Sequence, residues 1–152
     1  MLLEDLLNTL ELGERDHLAD ETSAAAWLTA VGRPAELSAD DLALAREVRA
    51  ALRGSLGDDP APLPVVPVRV VLTDEGPRLT GDGGPLVQLL GDALAEALAL
   101  RATGEWARLK TCARDTCRWV FYDHSRNRSG RWCSMQVCGN REKTAAYRAR
   151  HR

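Results

Sequence analysis

Leu2, Leu3, Leu6, Leu7 and Leu10 recur at helical spacing, with Glu4, Asp5, Asn8 and Glu11 between them. Such a stripe predicts an amphipathic helix at the start of the chain. Asp16 to Glu21 is polar and reads as a loop, and Thr22 to Val31 as a second helix that carries Trp27 and Leu28 into a core. Gly32, Arg33 and Pro34 stop that helix. Ser38 with Asp41 three residues on has the form of a capping box, and Leu42, Ala45, Val48, Leu52 and Leu56 follow on one face until Gly57.

Four prolines between Gly57 and Pro67 make that stretch a linker or long loop. Val68 to Thr73 alternates and is β-branched, which predicts a strand. Asp74-Glu75-Gly76-Pro77 is a turn and Arg78 to Thr80 a short partner strand. Leu86 to Ala102 is a long helix with Leu86, Leu89, Leu90, Leu94, Ala97, Leu98 and Arg101 at helical spacing. Residues 1–104 are thus expected to form a helical domain with one β-hairpin. Within it Asn8 stands out as a polar residue in a leucine-rich helix, suited to cap a neighbouring element or to line a pocket.

Charge divides the chain. Met1 to Leu100 holds 7 Lys/Arg against 18 Asp/Glu, and Arg101 to Arg152 holds 13 against 4, so a net charge of -2 conceals an acidic part and a basic one. A polyanion is the expected partner of the basic part. No apolar run approaches the roughly 20 residues that span a bilayer. The first ten residues, MLLEDLLNTL, lack a basic n-region, so a signal peptide is not expected. A cytoplasmic location follows as the expectation.

All four cysteines lie in the basic part. Cys112 and Cys117 are separated by four residues, as are Cys133 and Cys138, with fifteen residues between the pairs. Two such hooks fit a tetrahedral thiolate site holding one structural zinc. In a reducing compartment, paired cysteines bind metal more often than they form disulfides. His124 lies between the pairs, but four cysteines fill the site, and it reads as a loop residue. With no position left for water, the metal is structural and not catalytic.

Around the hooks the pattern predicts a knuckle at Cys112–Cys117, a strand over Arg118 to Tyr122, a turn over Asp123 to Gly130, and a return strand at Arg131-Trp132. Ser134 then caps a helix running toward Arg150. The expected fold class is α+β, mainly α. A helical domain with one β-hairpin over 1–104 precedes a small treble-clef-like zinc finger over 105–152, built of knuckle, hairpin and helix. Trp119, Phe121 and Tyr122 read as packing for the finger, and Trp132 likewise.

The segment RLKTCARDTCRWVFYDHSRNRSGRWCSMQVCGNREKTAAYRAR, Arg108 to Arg150, resembles the CGNR zinc finger family. The resemblance rests on the four cysteines, the FYD and SRNRS segments, the RWCSM step and Cys138-Gly139-Asn140-Arg141 itself. In that family the finger follows an ABATE-type domain, whose weaker landmarks Leu7-Asn8-Thr9 and Ala26-Trp27-Leu28 resemble. The resemblance implies a bacterial, stress-linked transcription regulator whose finger binds DNA.

The candidate nucleic-acid contacts are Arg126, Asn127, Arg128 and Arg131 on the hairpin, and Arg141, Lys143, Arg148 and Arg150 on the helix. Arginine offers a planar fork to phosphate or to guanine, and Asn127 and Asn140 offer an amide to adenine. Asn140 and Arg141 have an alternative, which is to hold the zinc loop by hydrogen bonds. The expected partner is DNA, with RNA or an acidic protein as the rival; a homodimer and a small-molecule effector are compatible with the sequence. No catalytic set is visible. His17 with Asp16 and Asp20 has no nucleophile, and Gly81-Asp82-Gly83-Gly84 lacks the Lys and Ser/Thr of a phosphate loop, so an enzyme is not expected.

Overall fold

The structure, a computed structural model, describes residues 1–150 apart from the side chains of Glu142, Ala145, Ala146, Ala149 and Arg150. The candidate side chain of Arg150 therefore lies outside the described residues. Four helices build the main body: α1 (Leu2–Leu7), α2 (Glu21–Ala30), α3 (Ala39–Ser55) and α4 (Pro85–Ala102). Among the described residues no helix is long and apolar enough to cross a membrane.

Each start is dictated locally. Asp20 caps α2 by accepting the Ser23 amide at 2.7 Å, and Ser38 caps α3 by accepting that of Asp41 at 3.1 Å. Pro85 opens α4, where a missing N–H costs nothing. The α1 amides of Leu2 and Leu3 donate to the Glu96 carboxylate of α4 at 3.3 and 2.9 Å, so one side chain both caps α1 and seats it on α4.

The apolar faces converge on one buried cluster containing Leu3, Leu6, Leu7, Trp27, Leu28, Leu42, Val48, Leu86, Leu89 and Leu90. Burial of each large side chain contributes about 1.5–3 kcal/mol. Leu109 and Val120, from the cysteine-bearing segment, belong to the same cluster.

The first helix is shorter than its leucine stripe. It ends at Leu7, and Leu10–Glu11 (β1) instead pairs antiparallel with Arg15–Asp16 (β2), so the expected loop from Asp16 begins inside a small ribbon. Side chains decide this. Thr9 Oγ donates to Leu6 O and accepts from Arg49 at 3.0 Å, while Arg49 also grips both oxygens of Asp16 at 2.5 and 2.9 Å. Arg49 and Arg53, both on α3, are buried, and Arg53 donates to Leu7 O, Asp58 and Arg118 O.

The second hairpin joins β3 (Val68–Thr73) to β4 (Gly76–Gly81) through the two-residue turn Asp74-Glu75, with Val70 opposite Leu79. β4 approaches α4 backbone to backbone: a Cβ on Gly91 would lie 2.0 Å from Gly81 N. Glycine at both positions permits that approach. Leu98, expected on the core face of α4, is 58% exposed at the rim of an apolar groove.

A third hairpin pairs β5 (Leu109–Thr111) with β6 (Val120–Tyr122) around the first cysteine hook. The outer edge of β6 lies against α1. Asn8 donates Nδ2–H to Val120 O and accepts from Val120 N, both at 2.8 Å, and Glu4 one turn earlier accepts from Tyr122 N at 2.8 Å. The Asn8 amide thus takes the place of a neighbouring strand. Replacing Asn8 with Ala strands a buried donor and acceptor, at about 1–3 kcal/mol each. The expected outcome is a large fall in the urea midpoint; an unchanged midpoint would show that water replaces the clamp.

Candidate metal centre and basic surface

Cys112 enters from the end of β5 and Cys117 closes the knuckle just before β6. The turn out of the knuckle places Arg118 at φ +50°, and Arg118 is held there by Asp58 and by the Gly57 carbonyl. The second hook comes from a wide helical turn, Met135–Gly139, capped by Ser134 and leading into α5 (Asn140–Arg150). Gly139 is buried there, and a Cβ on it would lie 2.8 Å from Met135 Sδ and 3.1 Å from Trp132 Cδ1, so the residue after Cys138 has to be small.

The expected return strand at Arg131-Trp132 does not form. β6 pairs with β5, which precedes the knuckle, and Arg131 keeps only one backbone bond to the knuckle, from Ala113 N at 2.8 Å. Sequence reading missed β5 because Leu109-Lys110-Thr111 is too short to show alternation. Of the aromatic residues expected to pack the finger, Trp119 is instead 40% exposed, while Phe121, Tyr122 and Trp132 are half-buried and Val120 is the buried residue of β6.

The four sulfurs lie within 4.8 Å of one another, with Cys117 to Cys133 at 3.8 Å and Cys133 to Cys138 at 3.7 Å. Thiolates bound tetrahedrally at about 2.3 Å stand about 3.8 Å apart, so the cluster has the dimensions of a zinc site. These spacings are far beyond a disulfide bond of about 2.05 Å. Bare, the cluster is electrostatically unfavourable. Burial, then hydrogen bonding and repulsion from neighbouring sulfurs, pushes the Cys133 thiol far above its ordinary value, and burial raises Cys117 too. At Cys138 burial opposes ionisation, but hydrogen bonds from Cys117, Cys133, Cys112 and Arg114 outweigh it and lower the pKa. A divalent cation compensates the charge that burial penalises. Cys112 and Cys138 are buried, and Cys117 and Cys133 half-buried.

Between the hooks, Asp123 organises the loop that carries the arginines. Its buried carboxylate accepts from Lys110 Nζ at 2.7 Å, Ser125 N at 3.0 Å and Gly130 N at 2.8 Å. Lys110, then Ser125, holds this carboxyl far below the usual range. Arg108 donates to the carbonyls of Asp123 and Ser125, each at 2.9 Å. A Cβ on Gly130 would lie 2.7 Å from the Asp123 carboxylate.

The cations sort into two groups. Arg108, Lys110 and Arg118 are engaged inside the protein, while Arg114, half-buried, hydrogen-bonds Cys138 and also lines an open cleft. Arg126, Arg128 and Arg131 are exposed on the loop, with the neutral Asn127 exposed beside them. Arg128, at φ +52°, lies 3.6 Å from Glu105, and Arg131 stacks 5.1 Å over the Trp132 ring. On α5, Arg141, Lys143 and Arg148 are exposed. Arg141 and Arg148, seven residues apart on one helix face, join Arg114, Asn140 and Thr144 around a cleft of ≈ 350 Å³ beside the metal site. Lys143 is not among the residues lining it. The Asn140 amide donates to Gln136 O at 3.2 Å, which satisfies part of it within the turn. Arg114 was not among the candidates from sequence; its place inside a Cys-x4-Cys hook was the available signal.

A mainly helical body with small hairpins, carrying a four-cysteine cluster, defines a zinc-binding protein with one structural zinc. Residues 108–151 match the family model of the CGNR zinc finger. No curated protein matches the chain.

Zinc analysis of the purified protein is expected to give one equivalent, and Cys133→Ser to lose it together with cooperative melting of the segment. Retention of zinc by that variant would contradict the ligand set. A second expectation concerns acid. The folded Asp123 carboxyl titrates below its unfolded value of about 3.9, so its contribution is complete above that value and fades as the pH falls through it. Thermal melts of wild type and Asp123→Asn should therefore differ most at neutral pH and converge from about pH 5 downward. A gap independent of pH would rule out the ion pair as its cause.

Proposed function

We propose that the chain is a zinc-dependent DNA-binding transcription regulator. The cysteine-bearing segment contacts DNA, and the acidic N-terminal part, of the ABATE type, senses a small ligand or a partner. The observation that carries this reading is the cleft in which Arg114, Arg141 and Arg148 surround Asn140 and Thr144 beside the metal. Three guanidinium groups around one cleft, with the second amide hydrogen of Asn140 beside them, suit a phosphate oxygen, and α5 offers the rigid support. The loop over 124–130, pinned by Asp123, presents Arg126 and Asn127 from a fixed backbone. Preorganised cations lose less entropy on binding.

Sensing has a physical route. α1 holds β6 by Asn8 and Glu4, and Arg53 of α3 holds Arg118 O at the knuckle. A ligand that shifts α1 or α3 acts directly on the elements that set the cysteine hooks. The role is regulatory, not enzymatic, since four thiolates leave the metal without an open position. A cytoplasmic bacterial setting fits this role.

Fluorescence anisotropy of the zinc-loaded protein on pooled genomic duplex, titrated with salt and competitor RNA, tests the reading. Tight duplex binding that resists RNA and is lost on chelation is expected. Arg141→Ala and Arg148→Ala are each expected to weaken binding to all duplexes and to lower the salt slope by about one, with zinc retained. Absence of duplex binding at low salt with zinc stoichiometric overturns the proposal and favours RNA or an acidic protein.

A further inference from the structure

β3 has one hydrogen-bonded neighbour, β4, and β4 turns its other side to α4. The outer edge of β3 is uncovered. All six of its residues are exposed, including Val70 at 64% and Leu72 at 82%. The run VRVVLT is apolar and β-branched, with Arg69 its one charge and no proline inside it. Native edge strands are normally blunted by charged side chains, proline, a bulge or a cover, and within this strand Arg69 is the one such feature. Val68 also opens onto a groove lined by Leu63, Val66, Leu79, Leu94 and Leu98, so the exposed apolar surface continues beside the strand.

The free edge has a defined register. Asp82 N donates to Pro67 O at 2.9 Å, and the two-residue turn closes at Thr73 opposite Gly76. Odd-numbered positions therefore turn their peptide groups toward β4, and Val68, Val70 and Leu72 turn theirs outward. A second β3, antiparallel and centred on Val71, satisfies these groups in turn. Val70 then faces Leu72 of the other copy, and Val71 faces Val71 across a two-fold axis. Arg69 lies opposite Thr73, next to the turn of the other copy that carries Asp74 and Glu75, within reach of a long side chain. Arg69 has only a loose partner of its own, Asp82 at 3.7 Å, with both side chains more than half exposed. The strand is thus complementary to itself in peptide groups, in apolar pairing and in charge.

We infer that β3 is a dimerisation edge, at which two copies of this chain join their hairpins into one four-stranded antiparallel sheet. Such an isologous contact closes on itself and leaves no free edge between the copies. It places the two basic clefts at a fixed separation on one symmetric particle. The inference stands apart from the DNA-binding proposal, because self-association is measured without nucleic acid.

Analytical ultracentrifugation of the zinc-loaded full chain over a concentration series tests it. The expected result is a monomer–dimer equilibrium that Leu72→Lys shifts to monomer, since the exposed position tolerates lysine in the single copy. Arg69→Glu is expected to weaken the dimer and Arg69→Glu with Glu75→Arg to restore it. Unchanged circular dichroism spectra confirm that the variants fold. A wild-type chain that stays monomeric at every concentration overturns the inference. So does a dimer indifferent to Leu72→Lys, which would place the contact elsewhere, or a charge swap that fails to restore association.

Discussion

The structure depends on how the open edge of β6 is satisfied. β5 and β6 form a two-stranded ribbon too small to be stable alone. One edge of β6 pairs with β5; the other meets α1, where Asn8 and Glu4 supply the peptide-like acceptors and donor that a third strand would. This side-chain pairing lets Val120 enter the main core without leaving its peptide groups unsatisfied in an apolar setting. The knuckle cysteines sit in the connection between its two strands, so the geometry of the metal site is tied to a helix more than a hundred residues away in sequence.

Zinc and Asp123 divide the remaining organisation. The metal joins the knuckle to the start of α5, and the carboxylate folds the loop between them over Lys110. Both use a buried charge centre with its opposite charge supplied locally, zinc against thiolates and lysine against carboxylate. The basic character of the segment is therefore only partly an outward property. Arg108, Lys110 and Arg118 tie carbonyls and carboxylates into place and Arg114 bonds a sulfur at the edge of the cleft, while the exposed arginines of the loop and of α5 remain turned to solvent. Net charge alone overstates what is offered to a polyanion.

Much of this was legible in the sequence. Helix α2 followed its apolar residues and its Gly32–Pro34 stop, α3 its Ser38 cap and apolar face, α4 its apolar spacing, and the β3–β4 hairpin its alternation and turn, because these signals are local. The four ligands followed from cysteine spacing, since few other chemistries require two matched hooks. Asn8 was visible as an anomaly, a polar residue in a leucine stripe, although its partner was not. Leu10 was misplaced because helical spacing continues past the point where Asn8 and Thr9 turn their side chains to other elements.

What the sequence by itself determined is therefore the set of local choices: where helices start, where the chain turns, which residues are apolar, and which atoms bind the metal. Only the tertiary structure decided which strand pairs with which, which arginines are internal and which exposed, and that α1 serves as the missing neighbour of β6. Pairing and burial depend on contacts between residues distant along the chain. Neither the period of a pattern nor the identity of a charged residue encodes which distant surface it will meet.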